Sequence, residues 1–134
     1  GGTAPLSAVY RFAEPITEKG FVYMDSPGYD PCSVTGQIAS GANLIAFTTG
    51  RGSVSGYKPV PCLKLATNSE MAARMADDMD IDCGDIVSRG VSVEEKGRQI
   101  LDLMVATASG RRTKSEALGF GGAEFVPWAM GAVM

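Results

Sequence analysis

The sequence predicts an α/β fold: a Rossmann-like, mostly parallel sheet with flanking helices, forming part of a larger polypeptide. Three observations carry that expectation. Short apolar runs at Phe21–Met24, 43–47 and Cys62–Ala66 have the length of strands and end in turn residues. Stretches with helical spacing lie between them, and strands joined through helices return in the same direction. The 134 residues are 45% hydrophobic and 20% charged, a composition that can fill one core.

Each element has its own signal. Leu6, Val9, Tyr10 and Ala13 recur at helical spacing, which predicts a short linking helix within residues 1–15 that Pro15 stops. Phe21-Val22-Tyr23-Met24 reads as a buried strand, ended by Ser26-Pro27-Gly28. Asp30 as cap and Pro31 in the first turn predict a helix, with Val34 and Ile38 on one face and Gly41 as its stop. The second strand, Asn43-Leu44-Ile45-Ala46-Phe47, runs into Thr48-Thr49-Gly50-Arg51-Gly52-Ser53. A loop through Gly56 and Lys58-Pro59-Val60-Pro61 leads to the third strand, Cys62–Ala66. Asn68 caps a helix carrying Met71 and Met75, with Glu70 suited to the dipole at its start.

Residues 77–84 are acidic and irregular, with a short strand around Ile81. Ser92 and Glu95 form a capping box before the longest helix, which turns Ile100, Leu101, Met104 and Ala108 inward and stops at Gly110. Residues 111–134 read as an irregular C-terminal strap pinned by Phe125 and Trp128, within a single domain spanning 1–134.

Composition narrows the chemistry. Twelve basic against fifteen acidic residues leave a net charge of −3, which argues against a nucleic-acid partner. No apolar run approaches the roughly 20 residues needed to cross a bilayer, and no basic-then-apolar leader opens the sequence. A soluble, cytoplasmic protein without a membrane partner is expected. Histidine is absent, so Ser-His, Cys-His and His-ligated zinc mechanisms are excluded within this chain. Cys32, Cys62 and Cys83 are odd in number and form no CxxC pair, which predicts free thiols.

In a parallel sheet, ligands bind in the crevice outside the strand C-termini. Three strands here end in small polar segments: Asp25-Ser26-Pro27-Gly28, Thr48-Thr49-Gly50-Arg51-Gly52 and Thr67-Asn68. The second resembles neither a dinucleotide fingerprint nor a phosphate loop. Its glycines are spaced GxGxxxG, and Lys58-Pro59-Val60-Pro61 forbids the helix that either site needs. What remains is a glycine-loosened loop whose backbone amides and Arg51 suit a carboxylate, or else a solvated surface loop.

Lys64 stands in the middle of an apolar strand, with Cys62 and Ala66 on its face and Leu63 and Leu65 on the other. In a sheet covered on both sides such a lysine is paired or functional, and desolvation would make it a general-base candidate. On an edge strand it would be a gatekeeper instead. Asp78-Met79-Asp80-Ile81-Asp82-Cys83-Gly84 begins like a calcium loop, but its glycine is one place late and Arg89 stands at the twelfth position. A solvated acidic turn is the expectation.

Met24-Asp25-Ser26-Pro27-Gly28-Tyr29-Asp30, Phe47-Thr48-Thr49-Gly50-Arg51-Gly52-Ser53 and Lys64-Leu65-Ala66-Thr67-Asn68 together resemble the C-terminal part of the altronate/galactarate dehydratase family. The later runs Asp77-Asp78-Met79-Asp80-Ile81-Asp82-Cys83-Gly84, Thr113-Lys114-Ser115-Glu116 and Glu124-Phe125-Val126-Pro127-Trp128 extend the resemblance across the chain. It implies a hydro-lyase acting on a small-molecule sugar acid, with a base, a carboxylate clamp and a divalent metal, iron in family members. On that resemblance Lys64 and Arg51 are the catalytic candidates, and Thr48, Thr49, Gly50, Arg51, Gly52 and Asn68 the substrate-binding ones. No metal ligands are identifiable here. Family enzymes are much longer, so the resemblance implies partner domains within the same polypeptide and is compatible with a homo-oligomer. Two rivals stand beside this reading: a non-catalytic anion-binding or regulatory domain, and a related lyase on another hydroxy-acid.

Overall fold

The computed structural model describes residues 2–125, and the chain divides into two compact units. One comprises residues 1–43 with 123–134, the other residues 44–122. Both are α/β, and every strand pairing in them is parallel. Among the described residues the strands form two short sheets rather than the expected single one.

In the first unit, β1 (Leu6–Tyr10) pairs with β2 (Phe21–Met24), Leu6 opposite Phe21 and, after a register shift between Leu6 and Ala8, Ala8 opposite Val22 through Tyr10 opposite Met24. The linking helix expected within residues 1–15 is therefore a strand at its centre. The apolar run is too short for its spacing to separate helix from strand, and pairing with a distant segment decided. Leu6 and Val9 are 51% and 64% exposed, so no helical stripe turns inward. Tyr10 is buried, and its hydroxyl accepts hydrogen bonds from the backbone amides of Glu18 and Thr17 at 2.9 and 3.2 Å. β2 is half-buried rather than buried, since Phe21 and Tyr23 face solvent.

α1 (Asp30–Ala39) opens with Pro31 in its first turn. Asp30 is already its first helical residue, and the position before it, Tyr29, caps through no side chain. Cys32, Val34, Thr35 and Gly36 form the buried face. A Cβ on Gly36 would lie 2.0 Å from the Phe12 ring, so this glycine is there for close approach.

The second unit is built on a three-stranded parallel sheet in the order β3–β4–β5 (Ile45–Thr49, Cys62–Ala66 and Ile81–Asp82). β4 is central and wholly buried, as its apolar composition requires. Asn68 caps α2 (Ser69–Arg74) by accepting a 2.8 Å hydrogen bond from Met71 N–H. Met71 and Met79 pack with Ala66, and Met75 and Ala72 complete that cluster.

The short α3 (Asp85–Ser88) precedes α4 (Val93–Ala108). The Ser92 hydroxyl accepts from Glu95 N–H at 3.1 Å, while the Glu95 carboxylate turns to Gln99 rather than back to the cap. α4 buries Lys96 and Thr107 and half-buries Ile100 and Met104, whereas Leu101 and Ala108 face outward. The inward face is thus rotated from the one the apolar spacing suggests, because Lys96 is drawn in by an ion pair.

The expected strap from residue 111 contains α5 (Lys114–Leu118), closed by a full Thr113/Glu116 capping box and by Gly119 in the left-handed region at φ 80°. Phe125 is 42% exposed, and Trp128 lies outside the described residues.

All three cysteines are free thiols, with Cys32 and Cys62 buried. Burial pushes the Cys62 thiol up to about 12. Titration of the denatured, unreduced chain is expected to count three thiols, and alkylation of the folded chain to reach Cys83 before Cys62. A count of one would contradict the structure.

Candidate functional site

The C-terminal edge of the β3–β4–β5 sheet carries a tightly tied group of polar residues. Thr67 donates its N–H to the Thr49 carbonyl at 3.0 Å, and its hydroxyl reaches the same oxygen at 3.2 Å. The Asn68 side chain donates to the Gly50 carbonyl at 2.8 Å while its oxygen caps α2. The Thr49 hydroxyl accepts from Gly52 N–H at 3.1 Å.

Gly52 adopts φ 96°, and a Cβ there would sit 1.9 Å from the Met75 sulfur. Only glycine fits. Thr49, Gly50, Gly52 and Asn68 therefore shape the turn, and Arg51 is its exposed apex. Among the described residues the Arg51 guanidinium makes no hydrogen bond or ion pair. Thr48 is exposed at the end of β3. A rigid turn presenting one unpaired guanidinium is equipped to receive a carboxylate through two parallel N–H donors.

The crevice expected from three strand ends is rearranged. β2, with residues 25–28 after it, belongs to the other sheet. The third strand end here is that of β5, where Cys83 N–H donates to the Ala66 carbonyl at 2.8 Å. Gly84 follows, in close contact with the Asn68–Ser69 backbone.

Lys64 is 0% exposed on the central strand, so the edge-gatekeeper alternative is overturned. Phe47 is its partner on β3. Among the described residues the Lys64 Nζ has no hydrogen-bond partner. Burial lowers its pKa below the ordinary lysine value, opposed by the charges of Asp78 and Asp80, with the thiol of Cys62 and the ammonium of Lys114 also in range. These neighbours come from the segment before β5, from β4 and from α5. No hydrogen bond or ion pair among the described residues joins Lys64 to the Arg51 turn. A desolvated, unpartnered amine has the properties of a base.

Two polar groupings escaped the sequence reading. The sequence predicts a solvated acidic turn around Asp80, yet the Asp80 carboxylate accepts from Lys64 N–H at 2.7 Å and from Lys114 N–H at 2.9 Å. Asp82 likewise accepts from Gly84 N–H at 2.8 Å. The acidic run satisfies backbone donors, for which sequence offers only the weak signal of aspartates beside a glycine. Lys96, 3% exposed, pairs with Asp85 at 2.8 Å and with Gln99 at 2.7 Å. Sequence separation hid that pair.

Among the described residues no three His, Cys, Asp or Glu side chains converge on a metal-sized site. The carboxylates nearest the sheet edge are engaged with backbone amides. The donors present do not make a cage for the divalent metal that the resemblance implies. No helix among the described residues is long and apolar enough to cross a membrane.

Comparison with known proteins supplies the family. The model of a family described as D-galactarate/altronate dehydratase, C-terminal, matches residues 1–133. Galactarate dehydratase (L-threo-forming) of Escherichia coli K12 is 38% identical over 111 residues, 83% of this chain and 21% of that protein. The (2R)-sulfolactate sulfo-lyase subunit beta of Chromohalobacter salexigens is 36% identical over 119 residues, 89% of this chain and 31% of that protein. Altronate dehydratase of Escherichia coli K12 is 30% identical over 119 residues, 89% of this chain and 24% of that protein. The chain thus spans a third or less of these relatives. Matched along essentially its whole length, it belongs to the D-galactarate/altronate dehydratase C-terminal family.

Proposed function

We propose that this chain is the C-terminal domain of a hydro-lyase that dehydrates a sugar acid of the galactarate or altronate type. The observation that carries the reading is the pairing, on one small sheet, of an unpartnered buried amine and an unpaired guanidinium on a locked turn. Galactarate and altronate dehydratases among its relatives supply the substrate class.

In this proposal Arg51 grips the substrate carboxylate, and the exposed Thr48 adds a hydroxyl contact. Thr49, Gly50, Gly52 and Asn68, assigned to substrate on the family resemblance, hold Arg51 in place through the bonds that shape the turn. Lys64, whose pKa burial lowers, takes the proton from the carbon next to the carboxylate. The electron pair of that C–H bond becomes the new C=C bond as the hydroxyl on the adjacent carbon departs and is protonated to water. The resulting enol tautomerises to a 2-keto-3-deoxy acid. Ligands for the divalent metal implied by the family, iron, are not identifiable among residues 2–125, and no step here runs through it. A cytoplasmic setting, further domains of the same polypeptide and assembly into a homo-oligomer complete the proposal.

Arg51→Lys in the full-length protein tests the clamp. It keeps the charge but loses the planar fork, so kcat/KM is expected to fall tenfold or more, about 1.4 kcal/mol per factor of ten. Unchanged kinetics would remove Arg51 from the site.

The sulfolactate relative supports a second reading, a lyase on another hydroxy-acid, because a carboxylate clamp serves either substrate. Turnover profiled across galactarate, altronate and sulfolactate separates the two. Binding of a sugar acid without turnover, under reducing conditions with iron supplied, would favour a non-catalytic anion-binding domain.

A further inference from the structure

Asp80 holds an unusual position relative to Lys64. Its carboxylate accepts from Lys64 N–H at 2.7 Å, and its own N–H donates to the Lys64 carbonyl at 2.9 Å. Both polar backbone groups of Lys64 are thus tied to one residue of the segment entering β5. The second carboxylate oxygen accepts from Lys114 N–H at 2.9 Å, which anchors the start of α5 to the same point. Lys114 then reaches back, its Nζ donating to the carbonyls of Ala76 and Met79.

Each Asp80 carboxylate oxygen therefore has a backbone donor. Its negative charge stands near the Lys64 amine, yet the Lys64 Nζ makes no hydrogen bond among the described residues. A carboxylate bonded directly to the ammonium would hold the proton there and occupy the nitrogen's direction of attack. One held by backbone amides acts on that amine only through space.

We infer that Asp80 is the positioning residue for Lys64: it clamps the strand at Lys64 and sets a fixed negative charge beside the amine without bonding to it. The inference rests on the proposed role of Lys64 as base. Among the described residues, the charged and titratable groups that act on the amine come from β4, the segment before β5 and α5. Asp78 and Asp80 favour its charged form, Lys114 opposes it, and the Cys62 thiol stays protonated near neutral pH. Removing the Asp80 charge should make Lys64 release its proton at lower pH, and removing the Lys114 charge should do the opposite.

The test uses the full-length protein and two readouts. In the pH profile of kcat/KM, Asp80→Asn is expected to move the acidic limb down by about half a unit or more. In thermal unfolding, Lys64 titrates lower in the folded than in the unfolded chain. The unfolded chain then binds more protons, and stability rises with pH from the folded value toward about 10.4. Asp80→Asn should start that rise at lower pH, and Lys64→Met should abolish both the rise and the effect of Asp80→Asn upon it.

If Asp80→Asn lowers the melting temperature but leaves the limb and the rise where they were, Asp80 is merely structural and the inference is overturned. If the rise moves and the limb does not, the inference stands and the base assignment of Lys64 falls. Should Asp80→Asn not fold, Lys114→Met must move the rise to higher pH, and no movement overturns the inference.

Discussion

Lys64→Met in the full-length protein is expected to keep its fold and lose dehydration activity by two to four powers of ten, the range for removing a general base. The two halves of that expectation have separate causes. The Lys64 side chain is fully buried on the central strand, and methionine preserves most of its length and stem. Its Nζ has no hydrogen bond among the described residues to lose, so deleting a desolvated amine leaves no partner stranded. The melting temperature near neutral pH should therefore hold or rise. Activity should collapse because no other unpartnered buried amine is found among the described residues: Lys96 is paired with Asp85, and Lys114 is bonded to carbonyls. Steady-state kinetics and a melting curve on the same preparation decide the matter. A severe loss of stability would mean a structural ion pair, and full activity would take Lys64 out of the mechanism.

Gly84→Ala should be the most damaging single methyl group in the second unit. A Cβ at Gly84 would stand 2.2 Å from Ser69 N and 2.4 Å from Asn68 Cα. Those are backbone atoms, and no side-chain rotamer can relieve the overlap. The residue has φ −67°, so the cost comes from crowding and not from strained dihedrals. Asn68 both caps α2 and anchors the Gly50 carbonyl, so forcing it aside disturbs the cap and the Arg51 turn together. A loss of about 3 kcal/mol is expected, at the upper end for overpacking, read as a lowered urea midpoint. An unchanged midpoint would show that the Asn68–Ser69 backbone yields without cost.

How much was legible in the sequence depends on how local the signal is. The Asn68 cap, the buried strand Cys62–Ala66, the short strand at Ile81 and the stop at Gly110 rest on neighbouring residues. Their signals, a capping side chain, an apolar run or a glycine stop, lie within a few residues, so residue type alone announces them. Leu6–Tyr10 went the other way. Its helical spacing was genuine, but the ladder to Phe21–Met24 outweighed a propensity that a five-residue run expresses weakly.

The site divides along the same line. The glycine-flanked Arg51 after a strand, and a lysine inside an apolar run, were visible as residue types out of place in their surroundings. What each faces was not. That β4 is central, and Lys64 therefore buried rather than a solvated edge residue, follows from strand order, which parallel pairing across long connections sets. That Asp80 accepts from Lys64 and Lys114 joins residues 16 and 34 positions apart.

By itself the sequence determined the α/β class, the family and the chemical inventory: no histidine, free thiols, one guanidinium on a glycine turn and one lysine in a strand. Only the tertiary structure decided which polar groups are spent on the backbone and which remain open. Asp80, Asp82 and Asn68 are spent; the Lys64 amine and the Arg51 guanidinium have no partner among the described residues. The reason is physical. Whether a buried donor or acceptor is satisfied depends on what the fold brings within about 3 Å, and sequence spacing does not encode that distance.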